Sequence, residues 1–337
     1  MPTSKLKKIE RNYFGEDYER AAIENIGHLD RQPRVIDDYR QDFLSEVNVD
    51  LIRKAGFRVV IDHSNGSSSQ IFPGLSSILG VNATELNASL NPRKFSSSPE
   101  EQAQSIVQLA AIVTSLRADV GFILNSASEK LTVVDDSGRP LDSQLLLLIV
   151  TELFMRVHKP KRIAVPVVAS MGVDELAREH GVEVIRVSND HRAMMEAMTK
   201  GQAEFVGGTR GGFIFPGFQM GSDAMLGAVK ILEMLAATRS RISQLRKRHE
   251  QYVRQTVSVP CPWAKKGTVM RRLITSSDNK ERQMVDGIRI FEDKGWVLVA
   301  PDRMKASFYI FAESRSDEIT AGLLNRYRGL VEEWQRN

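Results

Sequence analysis

A strand, a turn, a helix and a second strand follow one another twice along this chain, and that repeated order limits the fold more than any other feature. FRVVID (57–62) is an apolar run of strand length, HSNGSSS (63–69) is turn chemistry, IFPGLSSILG (71–80) is helical up to a glycine stop, and VNATELN (81–87) reads as the next strand. KRIAVPVV (161–168), GVDELAREHG (172–181) and VEVIRV (182–187) repeat the order. The glycine stops, Gly80 and Gly181, lie 101 residues apart, so two similar α/β domains in tandem are expected. Alternation of this kind favours mainly parallel sheets covered by helices.

Between the two units lie a helix at 99–116, a strand VGFIL (120–124), a loop NSASEK (125–130) and a strand LTVVD (131–135). Loops leaving the carboxyl ends of sheet strands are where α/β proteins place ligands, which singles out 125–130. After about residue 255 the texture changes. GIRIFEDKGWVLVAPD (287–302) and SFYIFAES (307–314) alternate like antiparallel strands, and ITAGLLNRYRGLVEEWQ (319–335) is an amphipathic closing helix. A smaller α+β domain is expected there. Residues 4–25 hold helix formers with charged faces but too few large apolar positions for a domain, so they read as an element belonging to something else.

Hydrophobic residues at 42% and charged residues at 26% allow real cores and exclude a disordered or fibrous chain. The net charge of +4 has its densest run at RSRISQLRKRH (239–249). No aromatic residue interleaves that run, so it reads as a solvated helix face and not as a nucleic-acid patch. The single cysteine, Cys261, excludes an internal disulfide framework and fits a reducing compartment. Flanked by Pro260 and Pro262, it reads as a packing residue and not as a nucleophile. The start of the chain has no apolar h-region, and the longest apolar run, Leu145–Val150, is too short to span a bilayer. A cytoplasmic location with no membrane or nucleic-acid partner is expected. His63, beside Ser64 and Asn65 at a strand end, reads as a hydrogen-bonded structural residue, with a general base as the alternative.

Four segments in this order resemble the α-D-phosphohexomutase (phosphomannomutase/phosphoglucomutase) family: VVIDHSNGSSS with its helix, ADVGFILNSASEKLTVVDDSGR (118–139), FVGGTRGGFIFPGFQMGSDAMLGAVKILEML (205–235) and DGIRIFEDKGWVLVAPDRMKASFYIFAES (286–314). The resemblance implies a division into residues 1–29, the remnant helix of a first domain that is missing with its phosphorylated serine; 30–141 and 142–250, the family's second and third α/β domains; and 251–337, a TATA-box-binding-protein-like α+β domain. KKIERNYFGEDYERA, GGFIFPGF and VPCPWAKKGTVMRRL look more narrowly like the mutase-like C-terminal region of bacterial mannose-1-phosphate guanylyltransferase fusions.

The family's chemistry needs a Mg²⁺ loop, a sugar-reading loop and a phosphate clamp, and the resemblance maps each onto this chain. The metal loop, Asp-Gly-Asp-x-Asp-Arg, corresponds to Asn125, Ser126, Ala127, Ser128, Glu129 and Lys130, where only Glu129 keeps a carboxylate. Mg²⁺ prefers a hard oxygen cage rich in carboxylates, so no metal is expected here. The sugar loop, Gly-Glu-x-Ser-Gly-His, corresponds to Gly208–Phe213, with Thr209, Gly211 and Phe213 replacing Glu, Ser and His and with Arg210 between them. A glycine-rich turn entering the strand FIFPGF is the plainer reading. The phosphate clamp, Arg-Pro-Ser-Gly-Thr-Glu-Pro, corresponds to Ala300–Ala306, where Arg303 and Lys305 keep basic charge while Asp302 would repel an anion.

The candidate ligand residues are therefore Asn125, Ser126, Glu129, Lys130, Thr209, Arg210, Arg303 and Lys305, with no catalytic residue among them. The resemblance implies a phosphosugar-binding, regulatory or scaffold module of sugar-nucleotide metabolism that does not itself turn over. The alternative is part of an active phosphohexomutase or guanylyltransferase whose catalytic residues lie on a further N-terminal region. Expected partners are a sugar phosphate and a nucleotidyltransferase domain or the family's first domain. The oligomeric state is left open.

Overall fold

The computed structural model describes residues 3–336. Residues up to Tyr39 form one compact unit and those from Arg40 onward another. The first unit holds helix α1 (Thr3–Phe14), a 3₁₀ turn (Ile23–Asn25) and the beginning of α2 (Val35–Ser45). Its large apolar side chains stay exposed, Phe14, Ile23 and Leu29 among them, in keeping with a stretch too poor in apolar residues to build a core.

In the second unit α3 (Val49–Ala55) is capped by Asn48, whose side chain accepts from Leu51 N at 3.0 Å. Then come β1 (Arg58–Asp62), α4 (Phe72–Ile78), β2 (Asn82–Leu86), α5 (Pro99–Leu116), β3 (Val120–Leu124) and β4 (Leu131–Asp135). Their sheet has the order β2-β1-β3-β4, parallel through β3, with β4 folding back antiparallel so that Val120 pairs with Asp135. A second sheet repeats the plan after α6 (Ser143–His158). The elements β5 (Arg162–Pro166), α7 (Gly172–His180), β6 (Glu183–Val187), α8 (His191–Thr199), β7 (Val206–Gly207) and β8 (Phe213–Ile214) give the order β6-β5-β7-β8 with the same senses. The internal repeat read from the two glycine stops is thus a repeat of topology.

The strand expected from FIFPGF ends after two residues. Pro216 has no N–H for a ladder and Gly217 sits at φ +95°. Helices α6 and α9 (Ala224–Thr238) are buried almost all round because they lie between the sheets: α9 touches β3, β4 and β8 and packs along α6.

Helix α10 (Ile242–His249) corrects the reading of the basic run as a solvated face in part, because two of its basic residues, Arg246 and His249, are buried. Arg246 is buried and donates through Nε to Asp135 at 2.6 Å and through Nη2 to the Arg139 and Pro140 carbonyls, each at 2.7 Å. Arg248 pairs with Glu152 at 2.8 Å and with Glu179 at 2.7 Å, and His249 Nε2 meets Glu152 at 2.5 Å. Burial alone would raise the Glu152 carboxyl, yet His249, Arg248 and Arg156 around it hold it below the usual carboxylate range. Within this run Arg246, Arg248 and His249 tie β4, α6 and α7 together, while Arg239, Arg241 and Lys247 stay exposed.

The remaining elements are β9 (Val253–Pro260), α11 (Trp263–Ser276), β10 (Arg282–Gln283), β11 (Ile288–Glu292), β12 (Gly295–Pro301), β13 (Ser307–Ser314) and α12 (Asp317–Trp334). Their antiparallel sheet, β10-β11-β12-β13-β9, shows the period-2 alternation seen in the sequence. Val297 and Val299 face a core with Cys261, Ile290, Phe308 and Val331, while Trp296 and Leu298 pack on Val167 and Val168 beyond β5. Cys261 is buried, and burial pushes its thiol pKa up, with nearby Lys266 opposing in part. Glu313 fixes the contact to the second α/β sheet. It accepts from Ser170 Oγ at 2.8 Å, Met171 N at 2.6 Å and Trp296 Nε1 at 3.3 Å. No helix among the described residues is long and apolar enough to cross a membrane.

Candidate functional site

The loop after β3 is closed by its own polar atoms. Asn125 Oδ1 accepts from Glu129 N at 2.8 Å and Lys130 N at 2.9 Å, and the Asn125 carbonyl accepts from Ser128 N at 2.7 Å. An asparagine side chain is well suited to this because its oxygen reproduces a turn acceptor. Ser126 Oγ donates to the Phe95 carbonyl at 2.7 Å; Ser128, at φ +56°, lies 2.9 Å from Ser67 Oγ and accepts from Ser68 N at 3.1 Å. Gly66 lets the 63–69 turn approach, since a Cβ there would fall 2.3 Å from the Ser126 carbonyl oxygen. Of the loop's polar side chains only those of Glu129 and Lys130 stand exposed.

His63 is buried beneath this turn, with Nδ1 2.9 Å from Ser68 Oγ. Burial lowers its pKa to about 4, the nearby Asp62 charge opposing. Ser68 is itself fully buried, so the pair is a structural hydrogen bond and not a nucleophile with its base. A histidine depressed from 6.5 to about 4 binds its proton in the unfolded chain first. Its contribution to stability is therefore complete above pH 6.5 and is lost as pH falls through the window to 4, at up to about 1.4 kcal/mol per pH unit. His63→Gln should flatten that part of the stability–pH curve in urea titrations; an unchanged slope would contradict it.

The turn at 208–212 is tight. Gly208 N donates to the Gly212 carbonyl at 2.8 Å, and Gly211, at φ +77°, accepts from Leu131 N at 2.8 Å. That bond lays the second loop against the first, and Ala224 N adds another by donating to the Ser128 carbonyl at 2.7 Å. Thr209 is buried and donates to Asn189 Oδ1 at 3.2 Å, whereas Arg210 is exposed.

The loop between β12 and β13 is built differently from what its sequence suggests. Asp302 is a turn acceptor, its Oδ1 taking Met304 N at 2.8 Å and Lys305 N at 3.1 Å. Behind it Lys266 Nζ donates to the carbonyls of Asp302 at 2.5 Å and Lys305 at 2.6 Å while lying 3.6 Å from the Trp263 ring centre. Arg303 Nη2 donates to Asp286 Oδ1 at 2.7 Å, and Asp286 also accepts from Asn189 N at 2.6 Å and from the Ser188 hydroxyl. Arg303 is thereby linked through Asp286 and Asn189 to Thr209. The three loops chosen from sequence are linked in series, and sequence reasoning missed Ser188, Asn189 and Asp286, which connect the second to the third, and Lys266, which braces the 302–305 turn. The Asp286-Gly287 pair, a turn dipeptide, was a visible signal of a special backbone position.

The model of phosphoglucomutase/phosphomannomutase alpha/beta/alpha domain II matches residues 37–138, and that of domain III matches residues 142–252. The chain belongs to the phosphoglucomutase/phosphomannomutase family. A phosphoglucomutase/phosphomannomutase of Thermococcus kodakarensis is 26% identical over 326 residues, covering 96% of this chain and 71% of that protein. A probable phosphoglucosamine mutase of Pyrococcus abyssi is 28% identical over 334 residues, covering 98% of this chain and 72% of that one. Among solved structures, a phosphoglucomutase/phosphomannomutase family protein from Burkholderia thailandensis superposes with a TM-score of 0.81 at 18% identity, over 99% of this chain and 70% of that one. That likeness extends through the C-terminal antiparallel domain and confirms the mixed α/β fold.

For a phosphoglucomutase/phosphomannomutase family member the donor set at 125–130 does not suit Mg²⁺. Asn125 Oδ1 is turned to its own backbone N–H groups, the Ser126 hydroxyl is given to a carbonyl, and Glu129 is the one carboxylate in the loop. Mg²⁺ that keeps several waters is held by one or two carboxylates together with substrate phosphates, and this loop leaves it a single exposed carboxylate, Glu129.

Proposed function

We propose that this chain is a sugar-phosphate-binding module of the phosphohexomutase family that does not transfer the phosphoryl group. The observation that carries the reading is the self-closure of the 125–130 loop: its polar atoms bond one another and the 63–69 turn, leaving Glu129 alone. Without a cation to neutralise the transferred group, phosphoryl transfer loses its main electrostatic help. Basic charge persists at the neighbouring loops in Arg210, Arg303 and Lys305, which supports binding of a phosphorylated sugar by charge-assisted hydrogen bonds. The relatives' names support the same substrate class, and the proposal gives the module a regulatory or scaffold place in sugar-nucleotide metabolism.

A second reading is favoured by the coverage of the relatives, of which the chain spans 71% and 72%: the chain supplies the substrate-holding part of an active mutase whose phosphoserine lies on another segment. One experiment separates the two. Purified chain is assayed with glucose 1-phosphate and mannose 1-phosphate, alone and with a family first domain added in trans. No turnover in either case is expected, together with a thermal shift by sugar phosphate that the Arg210→Ala/Lys305→Ala double variant loses. A ligand at 100 times its dissociation constant stabilises by about 2.7 kcal/mol. Turnover by the chain alone would sink the proposal, and turnover only in trans would establish the second reading.

A further inference from the structure

A cavity of about 770 Å³ opens where the end of β4, the start of α6, the α10–β9 connection and the edge of the C-terminal sheet meet. Sites that enclose a small organic ligand have this size. The cavity is remote from the candidate loops. Pro260 pairs with Ser307 beside the 302–305 turn, whereas Arg254 and Glu313, which line the cavity, pair with each other six residues further along the same two strands. At about 3.3 Å per residue that is about 20 Å away. Strand β4 separates the cavity from the other two loops in the same way: Leu131 bonds Gly211 at one end, and Asp135, held by Arg246, lies at the other.

The cavity wall carries cations that the protein leaves incompletely matched. Among the described residues the Arg254 guanidinium donates one hydrogen bond, to the Val168 carbonyl, out of the five N–H groups it has to give. It otherwise leans on the Trp296 and Phe311 rings, 5.2 Å from the centre of the latter. Arg289 shares the Trp296 ring at 4.2 Å, is fully buried, and has no hydrogen-bond partner on any guanidinium nitrogen. Its nearest carboxylate, Asp174 at 3.6 Å, already serves Arg186 at 2.5 Å. Burial pulls the pKa of Arg254 down, with Glu313 and Asp142 opposing, and takes that of Arg289 to about 9, helped by Arg186. At the mouth Arg139 is exposed and only loosely paired with Glu250, at 3.7 Å.

We infer that this cavity is a second ligand site, separate from the three loops, and that it takes a nucleoside phosphate: phosphate oxygens on Arg254 and Arg139, base and sugar over Leu145, Leu148 and the Tyr252 ring. An uncharged ligand would leave Arg254 unmatched, and a bare anion would leave that apolar floor and the aromatic ring unused. The remaining polar lining suits ribose hydroxyls. Asp142 spends Oδ1 on the N–H groups of Gln144 and Leu145, each at 2.9 Å, while its Oδ2 makes no hydrogen bond among the described residues. The site goes beyond the sugar-phosphate reading and does not depend on it. It gives the module a place to sense a nucleotide at a distance from the loops.

The test is calorimetric titration of the full chain with GDP, ADP and inorganic diphosphate, for the wild type, Arg254→Gln, Arg139→Gln and Thr256→Trp. Thr256 lines the cavity, is exposed, and its side chain makes no hydrogen bond among the described residues, so a tryptophan there fills the space without breaking a bond of the fold. The wild type should bind a nucleoside diphosphate and bind inorganic diphosphate more weakly. Thr256→Trp and Arg254→Gln should abolish nucleotide binding, and Arg139→Gln should weaken it by about tenfold or more, the loss of one charge-assisted hydrogen bond. Should Arg254→Gln fail to fold, the other two variants are read in its place. Saturating glucose 1-phosphate should leave nucleotide binding unchanged. No binding of either nucleotide by the wild type, or binding that Thr256→Trp retains, overturns the site. Inorganic diphosphate binding as tightly as GDP overturns the nucleoside assignment, and competition by glucose 1-phosphate places the nucleotide at the loops and overturns the separate site.

Discussion

Gly211→Ala is expected to pull the two central loops apart and to abolish sugar-phosphate binding. Gly211 is at φ +77°, where a Cβ would stand 2.0 Å from the Leu131 carbonyl oxygen and 3.1 Å from its carbon. Both obstacles are backbone, so no side-chain rotation relieves them. The left-handed conformation costs an L-residue about 1–2 kcal/mol, the forced shift about 1–3 kcal/mol, and the bond from Leu131 N to the Gly211 carbonyl about 1 kcal/mol if it breaks. A total of roughly 3–6 kcal/mol is then expected from these terms. Urea denaturation measures the first outcome and ligand titration the second. A variant with wild-type stability and binding would show that the contact between Gly211 and Leu131 does not organise the site.

Arg246→Ala should have a comparable effect on stability and a diagnostic pH dependence. Asp135 is fully buried; burial alone would raise its carboxyl, but hydrogen bonds from Ser137, the Arg139 N–H and Arg246 hold it below the ordinary value. Removing Arg246 leaves that charge buried without its cation and frees the Arg139 and Pro140 carbonyls that the guanidinium also satisfied. Breaking a buried pair from one side costs about 3–5 kcal/mol, and the melting temperature should fall on the order of 10 °C. The sign with pH follows from the depressed carboxyl. In the wild type the stabilisation is present above the unfolded value of about 3.9 and is lost as pH falls through the still lower folded value. The gap between wild type and variant should therefore be widest near neutrality and close in acid. A gap independent of pH between 3 and 7 would assign the loss to packing alone.

The strand–helix alternation was legible because hydrophobic periodicity and the glycine stops are local properties. Gly80 and Gly181 both adopt the left-handed conformation that ends a helix, at φ +64° and +67°. The candidate loops were legible too, as runs of turn residues at strand ends, and the structure links all three in series. Long-range pairing was hidden. Arg246, Arg248 and His249 read as a solvated run because Asp135, Glu152 and Glu179 stand 69 to 111 positions upstream. Nothing near Asp286 in sequence announces Ser188 or Asn189, 98 and 97 positions away. The turn-forming role of the Asp302 carboxylate was hidden because its bonds to Met304 and Lys305 depend on the path of a loop, not on residue type.

The lone thiol gives the molecule a built-in chemical clock. Cys261 is shut inside the C-terminal core with its sulfur held protonated by burial, so an aromatic disulfide reagent meets no competent nucleophile until that core opens. The rate at which the reagent is consumed then times the opening of this one domain, unobscured by any other sulfhydryl. A cysteine introduced on an exposed loop would react at once and carry a single probe, which makes the wild-type sequence a ready background for following the loops around Arg303.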